Sequence, residues 1–440
     1  MNILMFNTYN PGLASGIVAL DLFNQLKKKG HSVKLLVNRY DSAYPEGILS
    51  LETYLMSLKR SMLYKFQWRY DKLRSKLKSG KKDETNPDYR FFQLSEKKQI
   101  YKTERLIRKS DFKPDAIIVL FANKFLNAKN IYELHKKTNA PIFWLMYDMA
   151  PFTGGCHYAW ECKGYQNQCG NCPGLYSSDP YDFSYENILF KKEYIGKTTI
   201  EILAASEWQT EQAKRSSLFR NNAVHKVLLS VNSDIFKPAD KKTIRMKLNI
   251  PGNKKIIFFG SVGLTEKRKG MYYLIESLKL LRQKTDNTGL RLTDEIILLI
   301  AGREIEQVAF SLPFEYHYLG MLNNTYGIAS AYQAADVYVC PSIEDSGPMM
   351  INQSIMCGTP VVSFEMGVAL DLVVTGKTGY RAKLKDTGDM AKGILDILTL
   401  DEDNYKIMSV NCRELALKLC SPDVQSEKIE NILRNRIIVN

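Results

Sequence analysis

The densest chemistry in the chain lies between Ala335 and Phe364. A short apolar strand, Val337–Val339, runs into Pro341 and Ser342; a loop with Glu344, Asp345, Ser346 and Gly347 follows, and a helix is expected to start near Pro348, with the amides around Gly347–Met349 facing the ligand. The free amides at a helix start, together with the positive end of its dipole, form an anion site suited to a diphosphate. Gln353 stands eight residues after Asp345, two turns into that helix, where it can reach a second part of the same ligand. A second loop, Lys267-Arg268-Lys269-Gly270, carries three cations that would neutralise charge on a leaving group.

A third group is Cys156-x5-Cys162-x6-Cys169-x2-Cys172. Four thiols within 17 residues, ending in Cys-Gly-Asn-Cys, meet the ligand count of a tetrahedral structural zinc site, and the last pair has the usual spacing. Disulfides and free thiols are the competing readings. Eight cysteines in 440 residues do not make a disulfide framework, and a reducing compartment points to thiols or metal ligands. Cys340 and Cys357 fall in strand and helix positions and are expected in the core; Cys412 and Cys420 carry no motif.

The elements that must position these groups alternate. Ile3–Asn7 reads as a strand, Gly12–Gly16 as a small-residue turn, Ile17–Lys29 as a helix and Ser32–Val37 as the next strand. Asp115–Phe121, Leu126–Lys137, Pro141–Tyr147 and Thr199–Ala205 continue the pattern. After the breaker Pro251-Gly252-Asn253, a second series begins at Ile256–Phe259 and runs through Met271–Arg282, Glu295–Ala301, Tyr326–Ala334, Val337–Val339, Pro348–Met356 and Thr359–Phe364. Such alternation means parallel, doubly wound α/β sheets, and two of them place a ligand at the carboxyl ends of their strands, in a cleft between the domains.

The stretch ending in Cys357-Gly358-Thr359-Pro360-Val361-Val362 closely resembles the carboxyl-terminal signature of the retaining glycosyltransferases of family four (group 1). The resemblance implies the GT-B fold, two Rossmann-like domains facing across a cleft. The family pattern has two glutamates, the first on the donor sugar and the second on the nucleotide ribose. Asp345 and Gln353 stand at those places, and Glu344 is an alternative for the sugar contact. Glutamine keeps hydrogen bonding to ribose but loses the charge-assisted part. Gly263 and Lys269 match the family's diphosphate-binding loop, where Arg268 or Lys267 replaces the usual arginine. Gly12 and Gly16 match its amino-terminal glycine turn. Tyr147-Asp148 through Gly155-Cys156-His157-Tyr158 resembles a motif of the subset of these enzymes that makes bacterial surface polysaccharides; Tyr147 stands where a histidine is common, Asp148 is the polar candidate on the acceptor side, and His157 is either a cleft residue or a loop histidine. Asn232–Pro238 and Ala205–Trp208 resemble the segments that join the domains.

Composition fits a soluble globular protein of about two domains, with 45% hydrophobic and 25% charged residues. It excludes a collagen, a disulfide mini-scaffold and wholesale disorder. The net charge of +14 is uneven: residues 1–240 hold 36 basic and 24 acidic residues, the remainder 25 and 23. Much of it falls in an insertion, residues 40–113, where ten of the 24 residues in Lys59–Lys82 are Lys or Arg, with Leu55, Leu58, Met62, Phe66, Leu73 and Leu77 at three- or four-residue spacing beside Trp68 and Tyr70. This pattern over 55–82 predicts an interfacial helix on a membrane of anionic headgroups, the alternatives being core packing or nucleic acid; no RNA-binding signature favours the last. The opening Met-Asn-Ile-Leu-Met-Phe reads as a buried strand rather than a leader, so a cytoplasmic protein, peripheral on the inner membrane face, is expected.

The expected layout is an acceptor domain over 1–235 with a Cys-rich loop at 151–180, a nucleotide-sugar domain over 236–420, and a terminal helix over 421–440 that packs back toward the first. The expected activity is transfer of a hexose, with retention, from a nucleotide diphosphate sugar to a lipid-linked oligosaccharide or polysaccharide in capsule, O-antigen or exopolysaccharide synthesis, with no catalytic metal and no nucleic acid. A GT-B epimerase or phosphorylase, or a non-catalytic sugar-nucleotide scaffold, would share the same phosphate site.

Overall fold

In the computed structural model, the described residues are 1–10, 14–38, 44–52, 55–56, 62, 85–91, 95–287 and 294–438. Gly12 and the greater part of the basic segment 55–82, including Phe66, Trp68, Leu73 and Leu77, lie outside them. The chain divides into two units: residues 1–204 with 210–226 and 426–440, and residues 205–209 with 227–425.

In the first unit seven parallel strands line up as β3-β2-β1-β4-β5-β6-β7. They are β1 (Asn2–Asn7), β2 (Ser32–Val37), β3 (Ile48–Ser50), β4 (Ala116–Val119), β5 (Ile142–Met146), β6 (Ile200–Ala204) and β7 (Val224–Lys226). Strands covered on both faces read as unbroken apolar runs, and Ile3–Phe6, Ala116–Val119 and Ile142–Met146 are buried throughout. Helices α1 (Ala14–Lys28), α2 (Thr103–Ser110), α3 (Ala128–Thr138) and α4 (Phe183–Ile195) belong to the same unit. Two expectations change here. Gly16 lies inside α1 and not in a turn before it. The segment 40–113 is not wholly an insertion, because Ile48–Ser50 pairs with β2 and forms the sheet edge; at three residues it is too short to show a period.

The second unit carries six parallel strands in the order β10-β9-β8-β11-β12-β13. These are β8 (Lys255–Gly263), β9 (Ile296–Arg303), β10 (Glu315–Tyr318), β11 (Val337–Cys340), β12 (Val361–Phe364) and β13 (Gly379–Ala382). Its helices are α6 (Lys241–Lys247), α7 (Met271–Asn287), α8 (Thr325–Ala334), α9 (Met349–Met356), α10 (Ala369–Leu372), α11 (Thr387–Leu398) and α12 (Glu402–Cys420); α5 (Glu207–Arg215) precedes β7 and α13 (Pro422–Ile438) ends the chain. Pro348 is the extended residue before α9 rather than its first turn. All four cysteines outside the Cys-rich loop are buried in this unit.

Both sheets reverse their winding at one point, between β1 and β4 and between β8 and β11, and the loops leaving the carboxyl ends of those strands therefore diverge around a crevice. A buried ion cluster holds the far end of the second sheet. Asp336 takes Arg245 Nη2 and Lys241 Nζ at 2.7 Å each and the Ile256 N–H at 2.7 Å. Burial alone would raise its pKa, but the two cations and these donors hold it below the ordinary 3.8. Its stabilising share is therefore present above pH ~4 and is lost as pH falls through the depressed value. Asp336→Ala leaves Arg245 buried without its carboxylate, and a urea melt at neutral pH is expected to show a loss of about 3–5 kcal/mol.

Candidate active site

The loop leaving β8 and the loop leaving β11 are stitched together. Lys267–Lys269 form one 3-10 turn, and the Ile343 N–H donates to the Arg268 carbonyl at 2.9 Å. Gly270 closes that turn at φ +74°, and a Cβ there would stand 1.8 Å from the Pro341 carbonyl oxygen, so only glycine lets the loops meet. Across this seam Asp345 Oδ2 accepts from Arg268 Nη1 at 2.8 Å and from Lys269 Nζ at 2.6 Å. Arg268 also donates from Nε to Glu266 at 2.5 Å. Behind Asp345 stands Gly367, at φ +57°, where a Cβ would come within 2.4 Å of the Asp345 carbonyl oxygen.

The same loop leads into α9. Glu344, Asp345 and Ser346 are all buried. Asp345 Oδ1 accepts from the Gly347 N–H at 3.4 Å, and Ser206 Oγ donates to the Ser346 carbonyl. Helix α9 starts at Met349 without a side-chain cap, so its first amides keep the polarity of an uncapped helix start. Gln353 lies one turn in, and its Oε1 accepts from the Tyr332 hydroxyl at 3.3 Å. With the oxygen so engaged, the Nε2 amide is the end available for a ribose oxygen. Tyr332 is itself fixed by edge contacts with Phe258 and Tyr338, centroids 5.1 and 5.3 Å away. Gly263 ends β8, and its carbonyl accepts from the Glu266 N–H at 3.3 Å, which ties it to the Asp345 cluster through Glu266 and Arg268.

In the first unit the carboxyl ends of β1, β4 and β5 carry a row of rings: Tyr9 on Phe121 at 5.1 Å and Phe121 on Tyr147 at 6.4 Å. Asn7 fastens the row, donating to the Tyr9 carbonyl and accepting from the Phe121 N–H. Asp148 Oδ1 accepts from the Ala150 N–H at 2.8 Å, while Oδ2 faces His157 Nδ1 at 3.2 Å. The His157 backbone is tied on both sides, its carbonyl to the Met149 N–H and its N–H to the Arg90 carbonyl. His157 and Asp148, nine residues apart in sequence, thus face each other at ion-pair distance, which brings an imidazole and a carboxylate together at this strand end.

Asp21 on α1 escaped the sequence reading, since a single carboxylate in an amphipathic helix has no motif. Burial raises its pKa from 3.8 to about 6. The buried Tyr147 hydroxyl is pushed above its usual value by burial and then by the Asp21 charge. Glu266, Ser206, Tyr332 and Gly367 were also missed, because each acts through a contact made only on folding. Among the described residues, no group of three His, Cys, Asp or Glu side chains has metal-ligand geometry as it stands.

Both sheets are Rossmann-like, and the chain has the GT-B fold. It aligns over its full length with sucrose-phosphate synthase from Thermosynechococcus elongatus, covering 100% of both chains at 15% identity and a TM-score of 0.67. Anabaena HepE, solved in complex with UDP and glucose, covers 98% of this chain and 99% of its own at 13% identity and TM-score 0.62. WaaG, a glycosyltransferase involved in lipopolysaccharide biosynthesis, gives 12% identity, 98% and 99% coverage and TM-score 0.60.

Residues 240–414, which include the Asp345 cluster, match the family model for glycosyl transferases group 1. The D-inositol 3-phosphate glycosyltransferase of Arthrobacter sp. is 27% identical over 177 residues, which is 38% of this chain and 40% of that protein. The phosphatidyl-myo-inositol mannosyltransferase of Mycobacterium leprae is 27% identical over 153 residues, 34% of this chain and 38% of that protein. The aligned part therefore spans about two fifths of these relatives.

A carboxyl whose folded pKa is raised opposes folding once it ionises, so the Asp21 contribution worsens between pH 3.8 and about 6 and is constant above. Asp21→Asn is expected to raise the melting temperature at pH 8, with a gain that disappears below pH ~4. An equal gain at both pH values would contradict a buried, reluctant carboxylate.

Proposed function

We propose that the protein is a retaining glycosyltransferase that moves a hexose from a nucleotide diphosphate sugar to a lipid-linked or polysaccharide acceptor. The observation that carries this reading is the convergence of Arg268, Lys269 and the α9 start on Asp345, at the switch point of the second sheet. A diphosphate leaving group needs cations and amide dipoles held in place before charge develops, and that is what these loops supply. Asp345 or Glu344 contacts the donor sugar, and Gln353 contacts the ribose through Nε2. A donor phosphate oxygen takes the acceptor proton on the face from which the diphosphate departs, so no paired general acid and base is required.

The first unit takes the acceptor, with Asp148, His157 and Tyr147 as its polar side chains and Gly16 at the start of α1. Names among the relatives point to acceptors that are phosphorylated or lipid-borne, inositol 3-phosphate and phosphatidyl-myo-inositol, while WaaG belongs to lipopolysaccharide synthesis. Both fit a chain with an excess of 12 positive charges in its first 240 residues. A surface-glycan acceptor on the cytoplasmic face of a membrane is the specific reading. Among the described residues no helix is long and apolar enough to cross a membrane, and Leu55 and Met62, at the edge of the basic segment, are exposed.

Lys269→Ala removes a charge-assisted contact to the leaving group, and turnover with a nucleotide diphosphate sugar is expected to fall about 10- to 100-fold. Asp345→Asn is expected to lose activity and, because Arg268 and Lys269 are left without their counter-charge, to lower the melting temperature, while the far-ultraviolet circular dichroism spectrum at 25 °C stays that of the folded protein. Full activity in either variant would sink the site assignment. For the membrane, flotation with vesicles containing phosphatidylglycerol is expected to be salt-sensitive and to be lost when Phe66, Trp68 and Leu73 are replaced by serine. Retention of the triple variant on vesicles would refute attachment through this segment.

A further inference from the structure

Cys156, Cys162, Cys169 and Cys172 all line one cavity of about 20 Å³, room for a single ion or water. None is in a disulfide. Cys162 Sγ receives the Gly164 N–H at 3.4 Å, and the Gly154 and Gly174 amides favour the Cys169 and Cys172 thiolates, although burial, the larger effect, holds both thiols above their ordinary pKa while no ion is bound. In two of these the chain folds back so that the amide two residues on faces the sulfur. A neutral thiol is a poor acceptor, and amides so directed suit a thiolate. Lys191 and Lys192 on α4 lie close enough to Cys169 to interact with its charge. The Lys191 ammonium is fixed in place by the Ala150 and Thr153 carbonyls at 2.7 and 2.9 Å.

We propose that these four cysteines bind one zinc ion as a structural knot. The thiols do not yet form a closed coordination sphere; the ion gathers them by side-chain rotation within the shared cavity. Binding replaces four S–H bonds by four Zn–S bonds and releases four protons, leaving a site of charge −2 that Lys191 and Lys192 offset. Four protein ligands close a tetrahedral sphere, so the site has no open position for chemistry.

The knot fastens three things at once. Residues 150–182 contain only short 3-10 turns, so they lack the ladders that hold other segments of this size. Cys156 bridges to Phe91, Asn86 donates to the Gly174 carbonyl, and Trp160 donates to the Asp88 carbonyl; the loop thereby clasps segment 85–91, where the basic region rejoins the fold. Cys156 also precedes His157, so the metal sets the backbone that presents the imidazole to Asp148. The inference stands without the glycosyl-transfer reading, since it rests on the thiols alone.

The test uses the full chain purified in reducing buffer without chelator from zinc-supplemented cells. Elemental analysis is expected to find about one zinc per chain, and alkylation after denaturation without reductant to modify all eight cysteines. Replacement by cobalt(II) is expected to give an intense thiolate-to-metal absorption. Cys162→Ser with Cys172→Ser is expected to cut metal content at least tenfold and to expose segments 85–91 and 150–182 to protease, while nucleoside diphosphate binding by the second unit is kept. Less than about 0.1 zinc per chain in the wild-type protein, or four alkylated cysteines with the others in disulfides, would overturn the proposal.

Discussion

The second unit depends on one carboxylate. Asp345 faces two cations from a different loop at 2.6 and 2.8 Å, in a pocket where it is almost wholly buried. Bringing like charges so close in a poorly solvated place would be unfavourable without a counter-charge. Asp345 supplies it, and in doing so fixes where Arg268 and Lys269 point. The rest of the site follows: Gly270 and Gly367 permit the close approach of three loops, Ser206 secures the Ser346 carbonyl, and α9 begins directly afterwards. The arrangement keeps its polar groups oriented in advance, the condition under which electrostatic stabilisation of a leaving group is strongest.

The first unit is organised differently. Its strand ends carry rings rather than cations, and its polar pair, Asp148 and His157, sits on the loop that follows β5. Much of this geometry hangs on an irregular loop secured by Lys191 and Asn187, with Glu96 bonded to both Asn187 and the α3 start.

The alternation of strands and helices was legible because buried parallel strands leave apolar runs bounded by turns; Ser32–Val37 coincides with the observed strand, and Val337–Val339 differs by one residue. The short edge strands β3 and β7 were not, since three residues carry no periodicity. At the site, residue types marked by a spaced motif could be read directly. Their partnerships could not: that Asp345 joins Arg268 and Lys269, that Tyr332 fixes Gln353, or that Asp148 orients His157 depends on contacts between segments 9 to 77 residues apart. Asp21 shows the limit most plainly, because its character comes from burial and not from its neighbours in the chain.

The central claim, that Arg268, Lys269 and the start of α9 form a diphosphate site, is tested most directly by calorimetric titration of the full-length protein with UDP, GDP and ADP and with the matching monophosphates. The predicted result is that at least one diphosphate binds at least tenfold more tightly than its monophosphate, with affinity that weakens as salt is raised. Equal affinity for the two, or no binding of any nucleoside diphosphate, would contradict it.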